Sequence, residues 1–226
     1  MTARIALAEA YRLLGWKARG GGFADTVSET GWQQFNNMSE KAFKTLAEAD
    51  ALPAKCPHWY FVMLELVRDQ GLSPDQTRKL FERAIAFEPA YYHYYREYAY
   101  NLLPKWNGKP GDVEKFADES YHRIGGPQGA FVYFEIATVL YCGCSDGQAK
   151  PTLSWPVIQE GFAEIESNYG GTTLKLNRFA MLAFLYRDRD VARRVLERLN
   201  EQWDPTVWRK LDTFNSARMW AGLTRL

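Results

Sequence analysis

The chain is poor in the residues that do chemistry and has no excess of either charge. Three cysteines occur in 226 residues, two of them a single residue apart at Cys142 and Cys144. An odd number with that spacing makes no disulfide framework, which fits a reducing compartment. The gap is also shorter than in structural zinc knuckles, so no metal is expected there. Basic and acidic residues number 28 and 27, for a net charge of +1. Nucleic acid and anionic membrane call for a basic excess or a basic face, so neither is an expected partner. No apolar run reaches the ~18 residues that span a bilayer. Arg4, Glu9 and Arg12 interrupt the apolar core that a secretory leader would need. The expected location is the cytoplasm. No Ser lies in a G-x-S-x-G turn, no Gly-rich loop follows a strand and no H-E-x-x-H occurs, so no catalytic motif, cofactor or metal is legible.

Apolar residues at helical spacing are present almost throughout. Ile5, Leu7, Ala8, Tyr11 and Leu14 predict a first helix that stops at Gly20, Gly21 and Gly22. Residues 27 to 51 read as two short helices hinged near Asn36 and Asn37, with Ser39 capping the second and Pro53 and Pro57 closing it. His58 to Asp69 is an apolar helix. Ser73 and Pro74 open its partner, which runs to about Glu88. Helices follow over Tyr91 to Leu103, Pro110 to Ile124 and Phe131 to Tyr141, with Gly125, Gly126 and Pro127 as a turn. After a polar loop from Gly143 to Ser154 come Pro156 to Tyr169, Leu174 to Arg187 and Asp190 to Trp203. A last helix from about Val207 to Leu223 is expected to cover the end of the stack with Trp208, Leu211, Phe214 and Trp220.

Within this series Phe61, Leu64, Phe81, Ala84 and Pro89 match the offsets of the tetratricopeptide helix pair, whose period is about 34 residues. One period beyond Phe61 lies Tyr95, and Ala99 and Ala180 take the place of the small residue that lets paired helices approach. The stretches YYHYYREYAYNLLPKWNGKPGDVEKFADE and NRFAMLAFLYRDRDVARRVLERLNEQWDPTVW resemble an uncharacterised family of bacterial tetratricopeptide-like proteins. In that family a Tyr-rich helix ends in LLP-x-W-x-G and a later helix begins with NRFA and ends in WDP-x-W. The resemblance covers residues 58 to 208 and implies an all-α, right-handed helical-repeat fold, with no activity attached. Residues 1–57 are then a helical segment packed on the repeats, and 58–226 the repeat domain.

Such stacks bind extended partners on the face lined by the first helix of each pair. The register predicts a groove of Trp59, Val62 and Leu66, then His93, Arg96, Glu97 and Tyr100, then Phe134 and Thr138, then Asn177 and Met181. Arg and aromatic anchors suit a protein or peptide partner. The expected function is a protein-binding scaffold: an adaptor, a chaperone or an immunity-type inhibitor. The rival is an all-α enzyme using Asp118, His122 and Glu135, of which Asp118 and His122 sit at i and i+4. Such a pair also describes a solvated helix face. Trp106, Asn107 and Gly108 form a loop in which Trp106 either presents a contact or plugs the helix end beside Pro104. Asn177 has a purely structural reading too, as an amide that satisfies backbone of the neighbouring repeat.

Overall fold

The structure, a computed structural model, describes residues 1–52, 56–141 and 151–226; Pro53, Cys142 and Cys144 lie outside them. The described residues hold twelve α-helices and no strand, and 75% of them are helical. No helix among them is long and apolar enough to cross a membrane. The chain divides into two compact units, Met1–Asn101 and Leu102–Leu226. The division falls after Asn101, and the first two helices pack on the third.

The first unit contains α1 (Thr2–Arg19), α2 (Glu29–Ala49), α3 (Pro57–Asp69), α4 (Pro74–Phe87) and α5 (His93–Asn101). The Arg4–Glu48 ion pair and the Trp16–Phe35 ring contact fix α1 and α2 antiparallel. Helices α1, α3 and α5 run parallel to one another. Glu9 meets His58 and Trp16 meets Asp69 between α1 and α3, while Tyr60 meets Tyr94 and Arg68 meets Glu97 between α3 and α5. The Tyr60 and Tyr94 rings meet with their centroids 6.1 Å apart. The partner α4 starts with a capping box in which Ser73 and Gln76 satisfy each other's backbone N–H, with Pro74 at the first turn.

Residues 29–49 form one continuous helix, where two were expected. Phe35, Ser39, Ala42, Leu46 and Ala49 are all buried on one stripe, whereas Asn36 and Asn37 face water. Each Asn costs the helix only a few tenths of a kcal/mol, far less than that stripe contributes against α1. The cap is Ser28, whose side chain accepts from Gly31 N, and Ser39 lies in the interior of the helix.

The second unit contains α6 (Asp112–Ile124), α7 (Gly126–Tyr141), α8 (Trp155–Tyr169), α9 (Thr173–Leu185), α10 (Arg189–Leu199), α11 (Pro205–Trp208) and α12 (Leu211–Trp220). Its core is α7, buried from Gly129 to Tyr141. The turn expected over Gly125 to Pro127 contracts to Gly125, since a Pro in the first turn is compatible with a helix start. Helices α7 and α8 cross so closely that a Cβ on Gly161 would lie 2.0 Å from the Ala130 carbonyl oxygen. The LLP-x-W-x-G stretch is a tight fold-back. Trp106 N and Gly108 N both donate to Leu103 O, and a Cβ at position 108 would sit 1.8 Å from Leu102 O, so only Gly fits. Trp106 is half-buried there.

The expected single last helix is two. Arg209 takes a left-handed conformation with φ of 64°, which breaks the run between α11 and α12. The break lets Trp208 and Phe214 both turn inward, with their rings 5.1 Å apart at 75°. Leu211, expected to help cover the end, is exposed.

Candidate functional site

Helical spacing places polar groups of the first unit on one face. Arg12 and Trp16 are at i and i+4 on α1; Glu65, Arg68 and Asp69 are at i, i+3 and i+4 on α3; Glu97 and Tyr100 are at i and i+3 on α5. Because the three helices are parallel neighbours, these sets meet. Asp69 accepts from Arg12 Nε at 2.7 Å and from Trp16 Nε1 at 2.8 Å, through the same carboxylate oxygen. Arg12 Nη1 also pairs with Glu65 at 3.0 Å. Arg68 donates through Nη1 to Glu97 and through Nη2 to Asp69, the latter at 3.5 Å. Its guanidinium lies 4.7 Å from the centre of the Tyr100 ring.

Burial within this cluster is graded. The side chains of Asp69, Arg68 and Glu97 are 0%, 4% and 11% exposed, while Arg12 and Glu65 retain 14% and 16%. Trp16, Arg96 and Tyr100 are half-buried around them. Burial pushes the Glu65 carboxyl up to about 7, against the opposing pull of the Arg12 guanidinium and with a further push from Glu97. Glu97 is raised for the same first reason, with Arg68 working against it. For Arg68 burial acts to lower the pKa, and the surrounding Glu97, Asp69 and Glu65 outweigh it, so the net shift is upward. The innermost pairs therefore lock α3 to α5. The outer members form a rim of one carboxyl poised near neutrality, two guanidiniums and two aromatic rings.

His93, Arg96, Glu97 and Tyr100 do lie together on α5 beside this rim. The His93 ring contacts Phe61, Tyr91 and Tyr92. Trp59, Val62 and Leu66, expected to line a groove, are interior: Trp59 is 2% exposed and donates through Nε1 to Leu46 O at 2.9 Å. An apolar helix with α2 and α4 packed on it keeps its aromatic inside. Glu97 is likewise taken up by its ion pair with Arg68, and presents no free carboxylate to a partner.

Phe134, Thr138, Asn177 and Met181 belong to the core of the second unit, all buried. Phe134 packs against Phe162 and Phe179. Asn177 is a structural node. Its Nδ2 donates to Thr173 O at 2.9 Å and Gln202 O at 2.8 Å, and its Oδ1 accepts from Asp204 N at 3.1 Å and Trp208 Nε1 at 2.7 Å. The amide ties α9 to the chain entering α11, as its structural reading anticipated.

Asp118, His122 and Glu135 are not brought together. Asp118 and His122 are exposed on α6, where Asp118 accepts from Tyr133 OH at 3.2 Å. Glu135, two residues beyond Tyr133, points to the other side of α7 and is fully buried in an ion pair with Lys175. Burial and the neighbouring Asp118 raise the Tyr133 phenol to about 12, countered by the Ser154 N–H that it accepts. Among the described residues no group of three or more His, Cys, Asp and Glu is placed to hold a metal.

Arg12, Trp16, Glu65, Arg68 and Asp69 were absent from the sequence-based groove. One signal was available: Glu65 is the single carboxylate inside the apolar run from Pro57 to Val67, and a charge in such a run needs a partner. In comparisons with models of protein families, with curated proteins and with solved structures, nothing matches the chain.

Proposed function

We propose that the chain is a non-catalytic binding module of the right-handed tetratricopeptide-like kind, and that a segment of a partner protein docks on the α1, α3 and α5 face of the first unit. The observation that carries this reading is the convergence of Arg12, Trp16, Glu65 and Tyr100 from three successive first helices onto one part-exposed rim. In helical-repeat scaffolds that layer is where partners bind. Trp, Tyr and Arg are the side chains that contribute most energy per residue at interfaces, and the buried Arg68–Glu97 and Asp69 pairs hold them preorganised. An adaptor, a chaperone and an immunity-type inhibitor would each use such a face. The enzyme reading has no comparable support, since Asp118 and His122 face water while Glu135 is sealed against Lys175.

Site-specific photo-crosslinking in the native cell tests the proposal. A benzophenone side chain at Tyr100 or Trp16 is expected to capture the same discrete partner, and one at Lys79, exposed on α4, is expected to capture none. Equal capture from Lys79, or none from either rim position, would contradict it.

A further inference from the structure

The first helix carries a second feature, separate from that rim. Ile5, Ala8 and Gly15 of α1 are buried, and Arg12 and Trp16 turn toward α3. On the remaining face Ala3, Ala6, Leu7, Ala10, Leu13 and Leu14 are all exposed, with Leu7, Leu13 and Leu14 at 43%, 64% and 53%. No charge interrupts this stripe before Lys17. Ala3, Leu7, Ala10 and Leu14 fall on the seam positions of a heptad pattern, the arrangement that packs one helix along another. Isolated exposed leucines are ordinary. Three on one helix face, joined by alanines into a continuous seam, are not.

We propose that the chain self-associates through this seam, as an antiparallel two-fold dimer of α1 helices. Large and small residues alternate along it: Ala3, Leu7, Ala10, Leu14. A two-fold axis passing between Ala8 and Glu9 sets Ala3 of one copy opposite Leu14 of the other, and Leu7 opposite Ala10. Each Leu then fills the space left by an Ala, and symmetry repeats the match on both halves, as an isologous contact requires. The flanking Ala6 and Leu13 again offer one small and one large side chain. A parallel pairing in register would set Leu on Leu and Ala on Ala, with crowding and voids in turn. The pattern is thus complementary to itself in one orientation. Its size sets the strength. A seam from Ala3 to Leu14 is about 17 Å long, and two such stripes bury on the order of 1,000 Å² in total, at the lower edge of specific interfaces. The dimer is therefore weak and concentration-dependent, in the micromolar range.

Sedimentation velocity from about 1 to 500 µM tests this, a range chosen to bracket a weak interface. The wild type is expected to pass from monomer to dimer within it. Leu14→Glu and Ala3→Lys should each weaken association at least tenfold, with helical spectrum and melting temperature unchanged because both positions face water. An equimolar mixture of the two variants should recover dimer. In the mixed pair the introduced acid and base face each other at one end, and the native Ala3 and Leu14 contact survives at the other. A monomer at every concentration, or a dimer indifferent to Leu14→Glu and to Leu7→Glu, would overturn the proposal. Failure of the mixture to recover would overturn the antiparallel pairing.

Discussion

Asn177 uses its whole hydrogen-bonding capacity, two donors and two acceptors, on four groups of the second unit. Removing it leaves the Trp208 indole N–H and the Asp204 N–H without an acceptor inside the core. Asn177→Ala is therefore expected to cost about 2 to 4 kcal/mol in urea unfolding. Asn177→Asp keeps the acceptor oxygen but turns its other oxygen toward the Thr173 and Gln202 carbonyls, so it should cost no less; a markedly smaller loss would show that the donor half of the node is irrelevant. Glu65 makes a different prediction at the same scale. Its carboxyl ionises at about 7 in the folded chain and near 4.5 when unfolded, so the folded state holds the proton more tightly between those values. Stability drawn from this group is complete below pH 4.5 and is lost as the pH rises through 7. The groups that face it are Arg12, Arg68, Asp69 and Glu97. Relative to wild type, Glu65→Gln should gain stability between pH 5 and pH 8, by on the order of 1 to 3 kcal/mol. A difference independent of pH would show that Glu65 titrates normally.

At the scale of elements, local signals were legible and their continuation was not. Ser73, Pro74 and the Phe61 to Tyr95 period placed α3, α4 and α5 to within a residue or two, because caps and periodic stripes are written in adjacent residues. The apparent hinge at Asn36 and Asn37 and the break at Arg209 went the other way. In both cases the outcome is set by packing from elsewhere, the α1 stripe in the first and the Asn177–Trp208 bond in the second. The candidate site shows the same division. His93, Arg96 and Tyr100 could be placed on one helix face from the sequence, whereas the pairing of Arg12 with Asp69 joins residues far apart in the chain and needs the helices in place. Ala99 tests the register that placed them. It is fully buried, and Ala99→Leu should overpack α5 and cost about 1 to 3 kcal/mol. An unchanged melting temperature would remove the basis for that register.

At the scale of the molecule, 75% of the described residues are helical and none is in a strand, so far-ultraviolet circular dichroism should report about three-quarters helix. A spectrum below half helix would contradict the fold, since globular chains average about a third. The proposed binding of a protein partner by the first-helix face of the first unit is read out by calorimetric titration of the crosslinked partner against four variants. Arg96→Ala and Tyr100→Ala should each weaken binding by about 1 to 2 kcal/mol or more without altering the helical spectrum. Asp118→Ala and His122→Ala, in the second unit, should leave it intact. Loss of binding or of a detectable turnover in the Asp118 and His122 variants, with full retention in the Arg96 and Tyr100 variants, would contradict the account.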